Sequence, residues 1–370
     1  MVALTVAGLV AVYSASFVVG AALLRDPNYY IIRQVIWAVI GAGLAIVTVN
    51  LPTERLRKHA GLLMWLTLLA LIAVATVGVT VNGAKRWIGV GPFTLQPAEY
   101  AKFTVVVFLA AWLASREIRV LRSWGGMVPF AAIMAAVCGL IMFQPSLGTT
   151  LVIATTAITM LWMRGMPFRH TLGICFTGAL LALILVLVSG YRSDRLFSWI
   201  GTSDTTSDDT FQIDHAVTSM GNGGLTGLGI GTSRGKFFYI PESHTDGVYA
   251  IVGEEAGFIG AIAILGLFVI LAIRGYQVAL RASGHPFPHL IAVGISTWFI
   301  VQAILNIGGI TGRFPLTGVP LPFMSYGGNA LAAELMAVGA LIRISRDFPP
   351  PRRVSDAPPI DHTRKRRRWR

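Results

Sequence analysis

Long apolar runs broken by short polar stretches dominate this chain. Ten such runs lie near 1–22, 31–51, 60–81, 98–115, 127–144, 147–164, 170–190, 247–273, 289–311 and 325–344. A helix needs roughly 20 mostly apolar residues to cross the hydrocarbon of a bilayer, and each run approaches that length. The pattern predicts an all-α polytopic membrane protein of about ten transmembrane helices. A large polar loop, 191–246, separates the seventh from the eighth. The first run lacks the basic segment of a signal peptide and further spans follow it, so it reads as a helix.

Composition agrees with the pattern. Of the 370 residues 54% are hydrophobic and only 13% charged, against about a quarter charged in a soluble domain. The formal charge of +13 raises the possibility of a nucleic-acid partner, but its distribution excludes one. The basic residues fall in alternate loops: Arg55, Arg57 and Lys58; Arg116, Arg119 and Arg122; Arg164 and Arg169; Arg274 and Arg281. The C-terminal segment 347–370 adds Arg352, Arg353 and the run 364–368. Lys and Arg flanking spans stay in the cytoplasm, so these loops and both termini are expected there. The segment 347–370, rich in Pro and Arg, is expected to be a disordered tail that touches anionic lipid. Cys138 and Cys175 lie in apolar runs and read as free thiols.

The opposite side holds the unusual sequence. Residues 82–102, 191–246 and 312–329 are dense in Gly, Pro and polar groups beside the membrane. Irregular backbone there must be buried in protein or line a wet cavity, so three such loops predict a cleft opening outward. The Gly spacing after Gly221 loosely resembles a dinucleotide fingerprint, but no strand or βαβ unit surrounds it. Tight turns or close approach to a ligand explain those glycines better.

Several polar side chains carry alternative readings. Asp246, just before an apolar run, is either a helix cap or a functional carboxylate. Glu254 and Glu255 lie about 12–14 Å further along that helix. Ionisable groups in a span default to a functional hypothesis; the alternative is a structural pairing with a buried cation or backbone, and Glu334 shares the ambiguity. Arg86 and Trp87 suit an interfacial anchor as well as a binding site. Lys102 begins an apolar run and needs an anion, which Glu99 on the same helix face or a phosphate supplies. The histidines are scattered, without metal-ligand spacing.

Motifs along the chain resemble one family. NGAKRWIGVGPFTLQPAEYAKF at 82–103, VYSAS at 12–16, QPSLGT at 144–149, GGLTGLGIG at 223–231, IPESHTDGVYAIVGEE at 240–255 and FPLTGVPLPFMSYGG at 314–328 resemble the SEDS proteins (shape, elongation, division and sporulation). The resemblance spans residues 1–346. It implies a ten-helix peptidoglycan glycosyltransferase of the bacterial cytoplasmic membrane that polymerises lipid II. Gln144, Gly253 and the RISR ending at 343–346 resemble the FtsW-type division branch more than the RodA-type elongation branch. The resemblance places the catalytic carboxylate on Asp246. Lys102, Trp87, Arg86, Glu99, Gln96, Arg195, Arg234, His244 and Ser325 form the expected substrate-binding set. It further implies a divalent cation, Mg or Mn, at a site the sequence does not reveal. The implied partners are a class B penicillin-binding protein with transpeptidase activity, other division or elongation proteins, and the undecaprenyl lipid. A lipid II flippase and a non-catalytic division scaffold are the alternatives. The chain departs from the family pattern at Ser146, where Asp is usual, at Gly247, where Phe is usual, and at Asn329, where Ser is usual.

Overall fold

The computed structural model describes residues 1–81, 84–90, 93–117, 123–188, 208–237, 240 and 242–350. Each of the ten apolar runs is occupied by a helix: α1 (Val2–Leu24), α2 (Tyr29–Asn50), α3 (Thr53–Val77), α4 (Pro97–Ser115), α5 (Trp124–Phe143), α6 (Leu147–Met163), α7 (Phe168–Val188), α9 (Val248–Arg281), α10 (Pro286–Ile310) and α11 (Gly328–Asp347). An eleventh helix, α8 (Asp208–Asn222), lies inside the large polar loop. Among the described residues, eight helices are long and apolar enough to cross a membrane, and α6 is a shorter apolar helix. The chain is an integral membrane protein. Most of the basic segment expected to be a tail, from residue 351 on, lies outside the described residues.

The all-α expectation needs one amendment. Three short strands form a small antiparallel sheet in the order β1 (Val79–Val81), β2 (Ala84–Val90), β3 (Phe93–Leu95). Val79 opposes Trp87, and Ile88 opposes Leu95. The sheet pairs the backbone of Lys85, Trp87 and Ile88 at the mouth of the bundle.

Burial sorts the helices. The apolar windows of α10 and α4 are 72% and 67% buried, those of α2 and α3 only 11% and 22%. The first pair forms the centre and the second faces lipid. Water-driven burial does not hold helices together in hydrocarbon; close packing of small residues and interhelical hydrogen bonds do. Accordingly Gly41 of α2 sits against Ala332 and Leu335 of α11, and Gly339 of α11 against Ala45 and Thr48. Thr48 Oγ1 crosses the same seam to Met336 O at 2.9 Å. The second and last long helices are therefore neighbours.

Helix α9 is broken. Gly257 has φ 68° and ψ −167°, outside helical values. The polar groups freed at the break are taken by the glycine-rich segment after α8. Leu228 N–H and Gly229 N–H donate to Glu254 O and Glu255 O, both at 3.0 Å, and Phe258 N–H donates to Gly224 O at 2.9 Å. The glycines here admit close approach to a helix, not to a ligand. Gly227 has φ 84°, and a Cβ on it would lie 2.1 Å from Glu255 O. Gly224 also has a positive φ, 55°, but faces open space. Gly224→Ala is therefore expected to cost about 1 kcal/mol for left-handed backbone. Gly227→Ala should cost clearly more, because it adds a collision with backbone. Thermal melts of the two variants in detergent compare them; equal melting temperatures would contradict the stitching.

Candidate functional site

One end of the bundle opens into a cleft of about 810 Å³. Its walls come from the ends of α1 and α2, from β2 and the start of α4, from the turn 240–246, and from 318–330. Arg86, Trp87, Gln96, Glu99, His244 and Asp246 all line it. Six of the ten expected site residues therefore share one cavity.

Asp246 reaches the cleft from a compact turn. Thr245 N–H and Gly247 N–H both donate to Glu242 O, at 3.1 and 3.2 Å, and Thr245 Oγ1 donates to Glu242 Oε2 at 2.9 Å. The N-cap of α9 is Gly247, so Asp246 stands one residue before the cap position. A Cβ at Gly247 would lie 3.0 Å from Ile240 Cγ2. Glycine here lets the turn pack closely against Ile240 and Ser243. Asn306 of α10 fixes the height of the turn, donating to Asp246 O at 3.2 Å and to Val319 O at 2.9 Å.

Arg86 projects from β2 and is held by backbone: Nε donates to Gln144 O at 2.9 Å and Nη2 to Pro145 O. Ser146, next in that turn, lines the cleft and donates to Thr149 Oγ1 at 2.9 Å. Gln96 is the N-cap of α4. Its N–H donates to Asn329 Oδ1 at 3.2 Å, while Asn329 Nδ2 donates to Thr94 O at 2.8 Å. The departure at Asn329 thus clamps the entrance of α4 to α11.

Lys102 does not reach the cleft. It is 2% exposed and lies behind Glu99, 2.7 Å from Glu99 Oε2. Its Nζ also donates to Gln302 Oε1 at 2.9 Å and lies 5.0 Å from the Trp298 ring centroid. Gln302 Nε2 continues the chain to Glu334 Oε1 at 3.0 Å, and Glu334 Oε2 accepts from Phe323 N–H at 2.8 Å. The anion of Lys102 is Glu99. Ser325 is likewise buried and structural in its contacts: its Oγ accepts from Leu321 N–H at 2.8 Å and its carbonyl from Gln34 Nε2 at 3.1 Å. Arg234 is exposed away from the cleft, and its backbone N–H donates to Glu254 Oε1 at 3.0 Å. Arg195 lies outside the described residues.

Glu254 and Glu255 take the structural alternative. Glu254 accepts from Ser233 Oγ at 2.6 Å and Gly235 N–H at 3.1 Å besides Arg234. Glu255 accepts from Ser14 Oγ at 2.6 Å and pairs with Lys236 at 3.5 Å.

Sequence reasoning overlooked Arg33, Tyr30 and Tyr326, which also line the cleft. Arg33 lies 4.5 Å over the Tyr29 ring. An arginine one turn into an apolar run was the available signal. Tyr30 and Tyr326 flank the His244 ring at centroid distances of 4.6 and 5.6 Å, and Tyr326 N–H donates to His244 O at 2.9 Å. Burial pushes the Tyr326 hydroxyl up to about 12, with Arg33 opposing. Burial also holds His244 below its ordinary value of 6.5, with Glu242 opposing.

Among the described residues no three His, Cys, Asp or Glu side chains cluster closely enough to hold a metal by themselves. The cleft nevertheless presents hard oxygen donors, Asp246 and Glu242. Mg characteristically takes one or two carboxylates and completes its shell with water and substrate phosphate. The donor set fits a cation that arrives with a phosphorylated ligand.

A family model described as "Cell cycle protein" (FTSW_RODA_SPOVE) matches residues 1–348. The chain belongs to this family. It is 39% identical over 341 residues to stage V sporulation protein E of Bacillus subtilis, covering 92% of this chain and 93% of that protein. It is 36% identical over 347 residues to the probable peptidoglycan glycosyltransferase FtsW of Trichlorobacter lovleyi, covering 93% and 91%. Among solved structures it superposes on a chain of a peptidoglycan synthase complex that coordinates polymerization and crosslinking, with TM-score 0.76, 30% identity and coverage of 94% and 98%. It superposes on the rod shape determining protein RodA of Thermus thermophilus with TM-score 0.70, 29% identity and coverage of 95% of each chain.

Two outcomes follow from the geometry. Lys102→Met leaves the buried Glu99 without its cation, so it should destabilise by about 3–5 kcal/mol; Asp246→Asn, half-buried at the wall, should change stability little. Melting temperatures in detergent separate them. The unfolded chain protonates His244 near 6.5, while the native state resists protonation. The His244 contribution is complete above that pH and is lost as the pH falls through the lower folded value. His244→Gln should flatten the dependence of melting temperature on pH below 6.5, and an unchanged slope would contradict burial as its cause.

Proposed function

We propose that this chain is a peptidoglycan glycosyltransferase that polymerises lipid II at the outer face of the bacterial cytoplasmic membrane. The observation that carries the reading is one cleft in which the Asp246 carboxylate shares walls with the guanidinium groups of Arg86 and Arg33. The names of the relatives support it and favour septal synthesis over elongation. The basic loops support an orientation with both termini in the cytoplasm, which turns the cleft outward.

The reaction joins the 4-hydroxyl of an acceptor GlcNAc to the anomeric carbon of the donor MurNAc. The C1–O bond to undecaprenyl diphosphate breaks, and α becomes β. Asp246 takes the proton of the attacking hydroxyl. A glycosidase needs a second carboxylic acid to protonate a poor leaving group. Diphosphate leaves as an anion and needs charge neutralisation instead. Arg86 and Arg33 suit that task, since guanidinium donates to phosphate oxygens in pairs. Arg86 is held by backbone carbonyls, so its guanidinium is already placed at the cleft wall. Trp87 offers a face to sugar or lipid. A divalent cation would be held by Asp246 or Glu242 together with phosphate oxygens, and would add positive charge beside the leaving group. Glu99, Lys102, Gln302 and Glu334 position the cleft floor from behind. A class B penicillin-binding protein is the proposed partner, crosslinking the strands made here.

The test feeds lipid II to the purified protein, with and without that partner. Wild type should make glycan strands. Asp246→Asn, with its melting temperature preserved, should lose about 10²–10⁴-fold in rate, the usual contribution of a general base. Polymer from Asp246→Asn at the wild-type rate would overturn the assignment. Failure of the wild type to make polymer, with translocation of lipid II in vesicles, would favour a flippase.

A further inference from the structure

We infer that residues 208–237 form a re-entrant segment whose apolar tip, Leu225, Leu228 and Ile230, lies among the acyl chains of the outer leaflet. Three neighbouring helices act as depth gauges. At the upper end, Ile213 of α8 lies against Gly312, just beyond the end of α10; a Cβ on that glycine would be 3.1 Å from Ile213 Cγ2. Seven residues later Met220 lies against Gly253, the sixth residue of α9. At the lower end, Lys236 and Glu255 both meet Ser14 Oγ, at 3.5 and 2.6 Å. Ser14 is ten residues from the Leu24 end of α1, or about 15 Å along the axis. That is half the thickness of the hydrocarbon. Helix α8 therefore descends from the level of the α10 terminus, and the following turn reaches the level of the middle of α1.

Backbone at that depth survives only if its polar groups are satisfied, and here the means are visible. Gly227 N–H donates to Gly223 O at 2.8 Å, Leu228 and Gly229 to the carbonyls of Glu254 and Glu255. Ser233 and Gly235 N–H donate to the Glu255 and Glu254 carboxylates, at 3.3 and 3.1 Å. Lys236 covers Gly231 O and neutralises Glu255. The apolar side chains point the other way: Leu225 is 70% exposed, Leu228 47% and Ile230 74%. They continue a surface formed by Phe258, Ile259 and Ile262 of α9, which begins its most apolar stretch at the break. Backbone groups satisfied inward, with Leu225, Leu228 and Ile230 turned out, are what a lipid-facing tip requires; the exposed Arg234 lies four residues beyond Ile230.

The test uses the full chain with Cys138 and Cys175 replaced by Ala, reconstituted in phosphatidylcholine–phosphatidylglycerol vesicles. A nitroxide is attached at Ile230→Cys or Leu225→Cys, with Phe17→Cys, one turn from Ser14, as the lipid reference and Lys58→Cys as the aqueous one. Relaxation by oxygen and by a water-soluble nickel chelate is measured. The ratio of oxygen to nickel accessibility at both tip positions should match Phe17 and exceed Lys58 by about tenfold, because oxygen partitions into hydrocarbon and the chelate does not. A ratio equal to that at Lys58 would overturn the proposal by placing the tip in water. Low accessibility to both agents would also overturn it, by showing that protein, such as a second copy, covers the tip.

Discussion

Hydrocarbon offers no hydrogen-bonding partner, so every polar group carried into it must find one within the protein. Much of this structure is a response to that constraint. The break in α9 frees carbonyls at Glu254 and Glu255, and the segment after α8 brings N–H groups to them. The two carboxylates then accept from Ser233, Arg234 and Gly235, and Lys236 supplies a cation. A pair of glutamates that looks extravagant inside an apolar run is the acceptor set for a stretch of irregular backbone. The same demand explains Lys102, whose ammonium is met by Glu99, Gln302 and the Trp298 ring.

Neutral amides perform the matching task at the cleft. Gln34, Gln302, Asn306 and Asn329 each bind the 318–329 segment or join it to another element. An amide can donate and accept at once, so it ties two strands of irregular chain without bringing a charge into the membrane. Because Asn306 holds both Asp246 O and Val319 O, the turn that carries the carboxylate and the loop facing it are set by one side chain. Arg86 is fixed in the same manner by the carbonyls of Gln144 and Pro145. Backbone carbonyls thus hold Arg86, and a side-chain amide holds the backbone of Asp246, at the cleft wall.

Much of this was legible in the sequence. The ten apolar runs predicted the helices because a membrane span is a length-and-composition problem. The three irregular loops predicted a cleft because irregular backbone needs shelter. Six of the expected site residues met there. Lys102 did not, because its position at the head of an apolar run specifies a need for an anion but not which anion, and Glu99 was near enough to satisfy it. Ser325 lay in a family motif, yet its contacts with Gln34 and Leu321 are structural; Arg234 is exposed and does not line the cleft. The Gln34 contact joins residues 291 positions apart and leaves no periodic trace. The sheet at 79–95 escaped because three- and seven-residue strands are too short to stand out beside twenty-residue helices. Arg33 was visible as an arginine inside an apolar run, but nothing local tied it to the cleft.

The packing of α2 against α11 has a consequence for how the protein is made. A membrane chain is inserted from its N-terminus, helix after helix. Here the second long helix has its glycine-lined partner in the last one, and Gln34 meets Ser325 and Gly327 only when the final loop has emerged. Arg33 and Arg86 are synthesised early, Asp246 late, and Asn329 later still. During translation the cations and the carboxylate wait in an open bundle, without the wall that Tyr326 and Asn329 complete. The cleft is therefore complete only near the end of synthesis, when residues 318–330 join its wall.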